Sequence, residues 1–176
     1  MTALARSSLT DRMLRAARFD DAIYEEVEHD TTATTQAALV VVLGSLSAAL
    51  GSGARLGIGA FVIGALLALA AWSFYAWIAY YVGGTLLRGP QTQTNWGEIA
   101  RTLGFANSPR LLLVLHAIPG LSLIAGLVWL WTVGTTVVAL RAALDCTTAR
   151  AVVIAVVSSI VQLALTAFLV ALQANA

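Results

Sequence analysis

Residues 109–140 read PRLLLVLHAIPGLSLIAGLVWLWTVGTTVVAL. Taken as one helix, this run gives the chain four membrane crossings. Taken as a short crossing, a hairpin at Pro119-Gly120 and a second crossing, it gives five. Arginine placement separates the two, because cytoplasmic segments collect positive charge. With five crossings and a cytoplasmic N-terminus, Arg6, Arg12, Arg15, Arg18, Arg88, Arg101, Arg110, Arg141 and Arg150 all fall inside and only Arg55 falls outside. With four, Arg141 and Arg150 move outside as well. The five-crossing reading fits better, with one weak element. Leu111 to Ile118 spans only about 12 Å as an α-helix, so the third crossing recruits Leu103–Ser108 or stays re-entrant, packed on protein rather than lipid.

Composition explains why crossings are at issue. Of the 176 residues, 59% are apolar and only 11% charged, and mean hydropathy is +0.84. Soluble domains carry about 25% charged residues. Such an inventory covers a surface only if lipid covers much of it. A formal net charge of +1 gives no nucleic-acid signal. A single cysteine, Cys146, excludes an internal disulfide or a thiolate cluster.

Outward from the deciding stretch, the expected fold class is all-α: a polytopic bundle of five transmembrane helices, the third short or re-entrant, behind an N-terminal cytoplasmic amphipathic arm. The spans are read at 35–50, 56–86, 103–118, 121–140 and 151–172, and the arm at 1–34. The arm lacks an apolar run of signal-peptide length and reads as part of the mature chain. Ser8 or Thr10 caps a first short helix to about Phe19, whose Leu14, Ala17 and Phe19 lie apart from Arg12, Arg15 and Arg18, as on a membrane surface. Asp20 and Asp21 cap a second, Ala22 to His29. Asn95 caps a helix through Trp96 to Phe105, which Asn107-Ser108-Pro109 breaks. Trp72, Tyr75, Trp77, Tyr80 and Tyr81 read as an interfacial aromatic belt.

Helices in lipid associate through close packing and hydrogen bonds. Ala60, Gly64 and Ala68 repeat at four-residue spacing and make a smooth strip on the second span; Gly44 and Ala48 do the same on the first. Ser158, Gln162 and Thr166 form a polar stripe on the last, read as contacts between helices of the bundle or with another membrane protein. The cytoplasmic charges suggest a network of Glu28, Asp30, Glu98, Arg101, Arg110, Arg141, Asp145 and Arg150, with Arg101, Arg110 and Asp145 at its centre.

No HExxH, GxSxG, Walker A or CxxC pattern occurs. His29 and His116 fall on opposite sides and cannot share a metal. No span carries a central carboxylate of the kind that proton-coupled transport uses. No catalytic residue, metal site or cofactor is read from the sequence.

Several segments resemble the bacterial branch of the Yip1 family: Tyr24-Glu25-Glu26-Val27-Glu28-His29-Asp30, Thr35-Gln36-Ala37-Ala38, Trp96 through Ala106 with Ser108-Pro109, Ile118-Pro119-Gly120-Leu121, and Arg141-Ala142-Ala143-Leu144-Asp145 with Thr147, Thr148, Arg150 and Ala151. The resemblance implies a five-helix bundle with a cytoplasmic N-terminus. Eukaryotic members organise membranes and engage prenylated Rab-type GTPases. Their Asp-Leu-Tyr-Gly-Pro signature is absent, so that partner is not carried over, and the bacterial branch offers no settled activity.

The resulting expectation is a non-enzymatic scaffold or accessory subunit of the cytoplasmic (inner) membrane, with its C-terminus outside. Its partners would be the lipid bilayer and other integral membrane proteins or copies of itself. A small oligomeric transporter or channel, with a path past Ser158, Gln162, Thr166 and His116, is the alternative; a lipid-binding protein is a third reading. The arginine distribution predicts that single cysteines placed in residues 141–150 and 8–30 react with an impermeant thiol reagent from the same side of sealed vesicles. Reaction from opposite sides would remove the five-crossing arrangement.

Overall fold

The computed structural model describes residues 8–53 and 57–174; Arg6 and Arg55 of the charge argument lie outside them. The described residues form helices and connecting turns. The elements are α1 (Leu9–Ala17), α2 (Asp21–His29), α3 (Ala33–Gly51), α4 (Ile58–Ala79), α5 (Trp96–Ala106), α6 (Ile124–Ala143) and α7 (Thr148–Ala174). A π-helical segment, Tyr80–Leu86, continues α4, and a 3₁₀ segment, Ser108–Ala117, follows α5. Four helices are long and apolar enough to cross a membrane: Ala33–Gly51, Ile58–Leu86, Ile124–Ala143 and Thr148–Phe168.

Local chemistry sets the ends of the short helices. Ser8 Oγ accepts from the Asp11 amide and Asp20 from the Ala22 amide, each satisfying a first-turn donor that the helix itself leaves unpaired. Asn95 and Glu98 form a reciprocal capping box at the start of α5. At its other end Asn107 donates to the Leu103 carbonyl and Ser108 to that of Phe105. These bonds occupy last-turn carbonyls just where Pro109 supplies no amide.

The polar look of residues 87–110 hides the centre of the molecule. In α5, Ile99, Ala100, Thr102, Phe105 and Ala106 are fully buried, and the helix packs against α1, α2, α3, α4 and α6. Together α5 and the 3₁₀ segment run beside α3 in the same direction. Gly104 faces Ala37, Arg110 faces Gly44, and Leu113 and His116 face Gly51. A 3₁₀ helix rises about 2.0 Å per residue against about 1.5 Å in an α-helix. The ten residues Ser108–Ala117 therefore reach about 20 Å, farther than the α-helical length expected for this segment. The chain turns through Gly120, at φ +91°, and α6 starts at Ile124, so 109–140 is two elements separated by the Pro-Gly turn.

The aromatic group on α4 is divided. Trp77 is exposed and stacks on exposed Tyr81, with ring centroids 5.9 Å apart. Trp72 and Tyr75 turn inward instead: Trp72 Nε1 donates to the Ala100 carbonyl at 3.0 Å and Tyr75 Oη to that of Ala155 at 3.2 Å. They brace α4 against α5 and α7 rather than forming a belt. The helix α1 docks on α2, α5 and the 3₁₀ segment through one side. Arg12 and Ala16 are buried, while Leu14 and Phe19 are exposed.

A Cβ on Gly104 would lie 2.5 Å from Ala37 Cβ and 3.0 Å from its Cα. Gly104→Val is therefore expected to wedge α5 from α3 and lower stability by about 1–3 kcal/mol, measured as thermal unfolding in detergent. Gly64→Ala, at a position with nothing within 4 Å, is expected to leave the melting temperature unchanged or slightly higher.

Candidate functional site

Two features stand out: an ionic cluster joining α1 to α2 and α3, and a cavity inside the helix bundle. The cluster begins on α1, where Arg12 and Arg15 stand one turn apart. Arg12 is 3% exposed; its guanidinium bonds Glu26 at 2.9 Å and Asp30 at 2.8 Å and donates to Gln36 Oε1 at 3.0 Å. Arg15 pairs with Asp20 at 2.7 Å and Glu26 at 3.2 Å. One planar fork thus ties three successive helices. The Arg12 and Thr32 hydrogen bonds hold the Asp30 carboxyl down at about 2, those from Thr32 being the larger cause.

The network expected from the sequence is arranged differently. Arg101, on α5, is buried and donates to the backbone carbonyls of Val27, at 2.9 Å, and Glu28. It caps the C-terminus of α2, where unpaired carbonyls and the helix dipole favour a cation. Arg141 pairs with Asp21, and Arg150 donates to the Arg88 carbonyl. Glu98 is engaged in the α5 capping box. Asp145 sits at φ +45° in the turn after α6. Among the described residues, the expected members Glu28, Asp30, Glu98, Arg101, Arg110, Arg141, Asp145 and Arg150 form no ion pair with one another. Arg12 and Arg15, which do form ion pairs, were missed in favour of residues nearer the spans, although their spacing on α1 matched the acidic run at 25–30.

Glu28 is 5% exposed, and its Oε2 has no hydrogen-bond partner. Burial, reinforced by nearby Glu25 and Glu98, pushes its carboxyl up to about 7. Glu25, Glu28 and His29 bring potential ligand atoms within 4.8 Å of one another. Their i, i+3, i+4 spacing on one helix accounts for that proximity, and His29 Nδ1 bonds the Glu25 carbonyl.

The cavity lies between α3, α4, α5, the 3₁₀ segment, α6 and α7, has a volume of about 790 Å³ and is open on one side, where its wall residues Trp129, Val156 and Ile160 are exposed. Val128, Trp129 and Leu113 make apolar wall; Ser45, Thr132 and Ser159 contribute hydroxyls. Arg110 also lines it, donating to Asn107 Oδ1 at 3.3 Å and forming no ion pair among the described residues. The structure thus places Arg110 beside the middle of α3 rather than among the charges at the helix ends.

The packing residues divide as well. Ser158 is fully buried, and Gln162 lines the cavity and donates to the Ala71 carbonyl of α4 at 3.4 Å. Thr166 bonds the Gln162 carbonyl of its own helix. Ala68 lines the cavity, whereas Ala60 and Gly64 are exposed, with nothing within 4 Å of a Cβ at Gly64.

A family model described as the Yip1 domain matches residues 17–170. No curated protein and no solved structure matches the chain.

Because Glu28 holds its proton more tightly in the folded protein than in the unfolded chain, its contribution is complete below the ordinary value of 4.5 and lost as pH rises through about 7. Thermal unfolding between pH 5 and 8 is expected to show this decline in the parent protein and a flatter profile in Glu28→Gln. An unchanged slope in the variant would assign the pH dependence elsewhere.

Proposed function

The chain belongs to the Yip1 domain family, and on that premise we propose that this multi-pass membrane protein is a non-enzymatic scaffold or accessory subunit of a bacterial cytoplasmic membrane. In this reading it crosses the bilayer five times, with α1 and α2 in the cytoplasm and the C-terminus outside. The parallel course of α3 and residues 96–117 supports a fifth crossing beyond the four long helices, because both paths traverse the same depth in the same direction.

The observation that carries the partner-binding role is the free face of α4. The most apolar window of Ile58–Leu86 is 0% buried, against 22–28% for the other three long helices. Its first half, with Ala60 and Gly64 on it, makes little use of its neighbours within the chain. Small residues at four-residue spacing let a second transmembrane backbone approach closely, which is where helix association in lipid gains most. Another integral membrane protein, or a second copy, fits that strip.

Purification from native membrane in mild detergent, followed by mass spectrometry, is expected to recover the chain in a complex. Gly64→Leu is expected to dissociate that complex without lowering the melting temperature of the isolated chain. Recovery of the native protein only as a lone monomer would overturn the subunit reading.

A further inference from the structure

In the five-crossing reading, on which this inference rests, Arg110, an exposed side chain, lies part-way along the bundle rather than at a helix end. It faces Gly44, eleven residues along α3 from Ala33, or about 16 Å at 1.5 Å per residue. Thr132 and Thr136, which share its cavity, stand near the middle of α6. Arg12, Arg15 and Arg141, by contrast, pair with Asp30, Asp20 and Asp21 at the two ends of α2. An ionised side chain inside a membrane bundle faces a cavity or a partner charge and marks a ligand path or binding site. Among the described residues no carboxylate supplies that charge to Arg110.

The space around it limits what it can bind. About 790 Å³ falls within the roughly 300–1,000 Å³ range of small-molecule sites, far more than one ion fills. Much of the wall is apolar, including Leu113, Val128 and Trp129, with hydroxyls from Ser45, Thr132, Thr136 and Ser159 among them. A guanidinium fork matches carboxylate and phosphate oxygens two at a time. Apolar walls beside it accept a hydrocarbon tail and offer little to a fully hydrated ion.

We propose that this cavity binds an amphiphile with an oxyanion head, the head on the Arg110 guanidinium and the tail along the Leu113–Val128–Trp129 wall. Two sources share that chemistry, a single-tailed carboxylate and a phospholipid phosphate. Charge complementarity supplies affinity, and the apolar wall, open on the Trp129 side, distinguishes the amphiphile from a free anion. The site is separate from the exposed first half of α4.

The protein in neutral detergent is titrated with oleate, phosphatidylglycerol, the neutral analogues oleyl alcohol and phosphatidylcholine, and inorganic sulfate, following melting temperature and adduct retention in native mass spectrometry. Oleate, phosphatidylglycerol or both are expected to bind, and whichever does names the source. Arg110→Gln is expected to weaken binding by about ten- to a hundredfold, with partial recovery in Arg110→Lys and no change in Arg18→Gln. Ala125→Phe fills the cavity without altering charge and is expected to abolish binding while the protein stays folded, so the test stands even if Arg110→Gln misfolds. Equal binding of the neutral analogues, an equal response to sulfate, undiminished binding in folded Arg110→Gln or in Ala125→Phe, or no binding by either anionic amphiphile would each overturn the proposal.

Discussion

Gly104 on α5 meets Ala37 on α3 at a distance that leaves no room for a further side-chain atom, and the arrangement of the bundle follows from that approach. It draws an eleven-residue helix into the middle, where α2, α3, α4 and α6 can all bury surface on it. Once α5 occupies that position, Trp72 reaches its Ala100 carbonyl from α4 and Thr135 reaches the Ala106 carbonyl from α6. Arg101 then lies under the last turn of α2. The Thr135 and Arg101 contacts fill helix-end carbonyls that would be expensive to leave bare in an apolar surrounding, and the Ala100 carbonyl gives the Trp72 indole N–H its acceptor.

The same requirement accounts for the irregular backbone. Residues 108–117 adopt a long 3₁₀ segment, a geometry seldom sustained beyond a few residues. Here it packs along α3 and α6. Its other side, with Leu112 and Val114, is exposed. At the end of α4 the π-helical turn brings Gly83 against Leu144 and Ile154, widening the helix where α7 and the turn after α6 must be accommodated.

Arg12 and Arg101, both buried, and Arg110, which is exposed along the cavity, show three ways of managing a guanidinium. Arg12 is neutralised by carboxylates and fixes α1 to α2 and α3. Arg101 is satisfied by carbonyls at a helix end and needs no carboxylate. Arg110 donates to Asn107 at 3.3 Å, forms no ion pair among the described residues and lines the cavity. The first two use all or most of their donor geometry to hold the fold, whereas the third keeps donors directed into a cavity.

Hydrophobic run length and turn chemistry were legible in the sequence because they are local. The long apolar helices, the caps at Ser8, Asp20 and Asn95, the break at Asn107-Ser108-Pro109 and the turn at Pro119-Gly120 all follow from side chains within a few residues of each other. Partner choice was not legible. Nothing local distinguishes an arginine that pairs with a carboxylate from one that caps a helix or lines a cavity, and nothing local sends Trp72 inward and Trp77 outward. The polar composition of residues 87–110 disguised the most buried helix, since Arg101 is satisfied by carbonyls of α2 that it meets only after packing, while Thr102 bonds the Ile99 carbonyl of its own helix. By itself the sequence determined that the chain is helical and built for lipid, through hydrophobic length and residue-level capping. Only the tertiary structure decided which helix stands at the centre and which guanidinium lines a cavity, because both depend on groups brought together from distant parts of the chain.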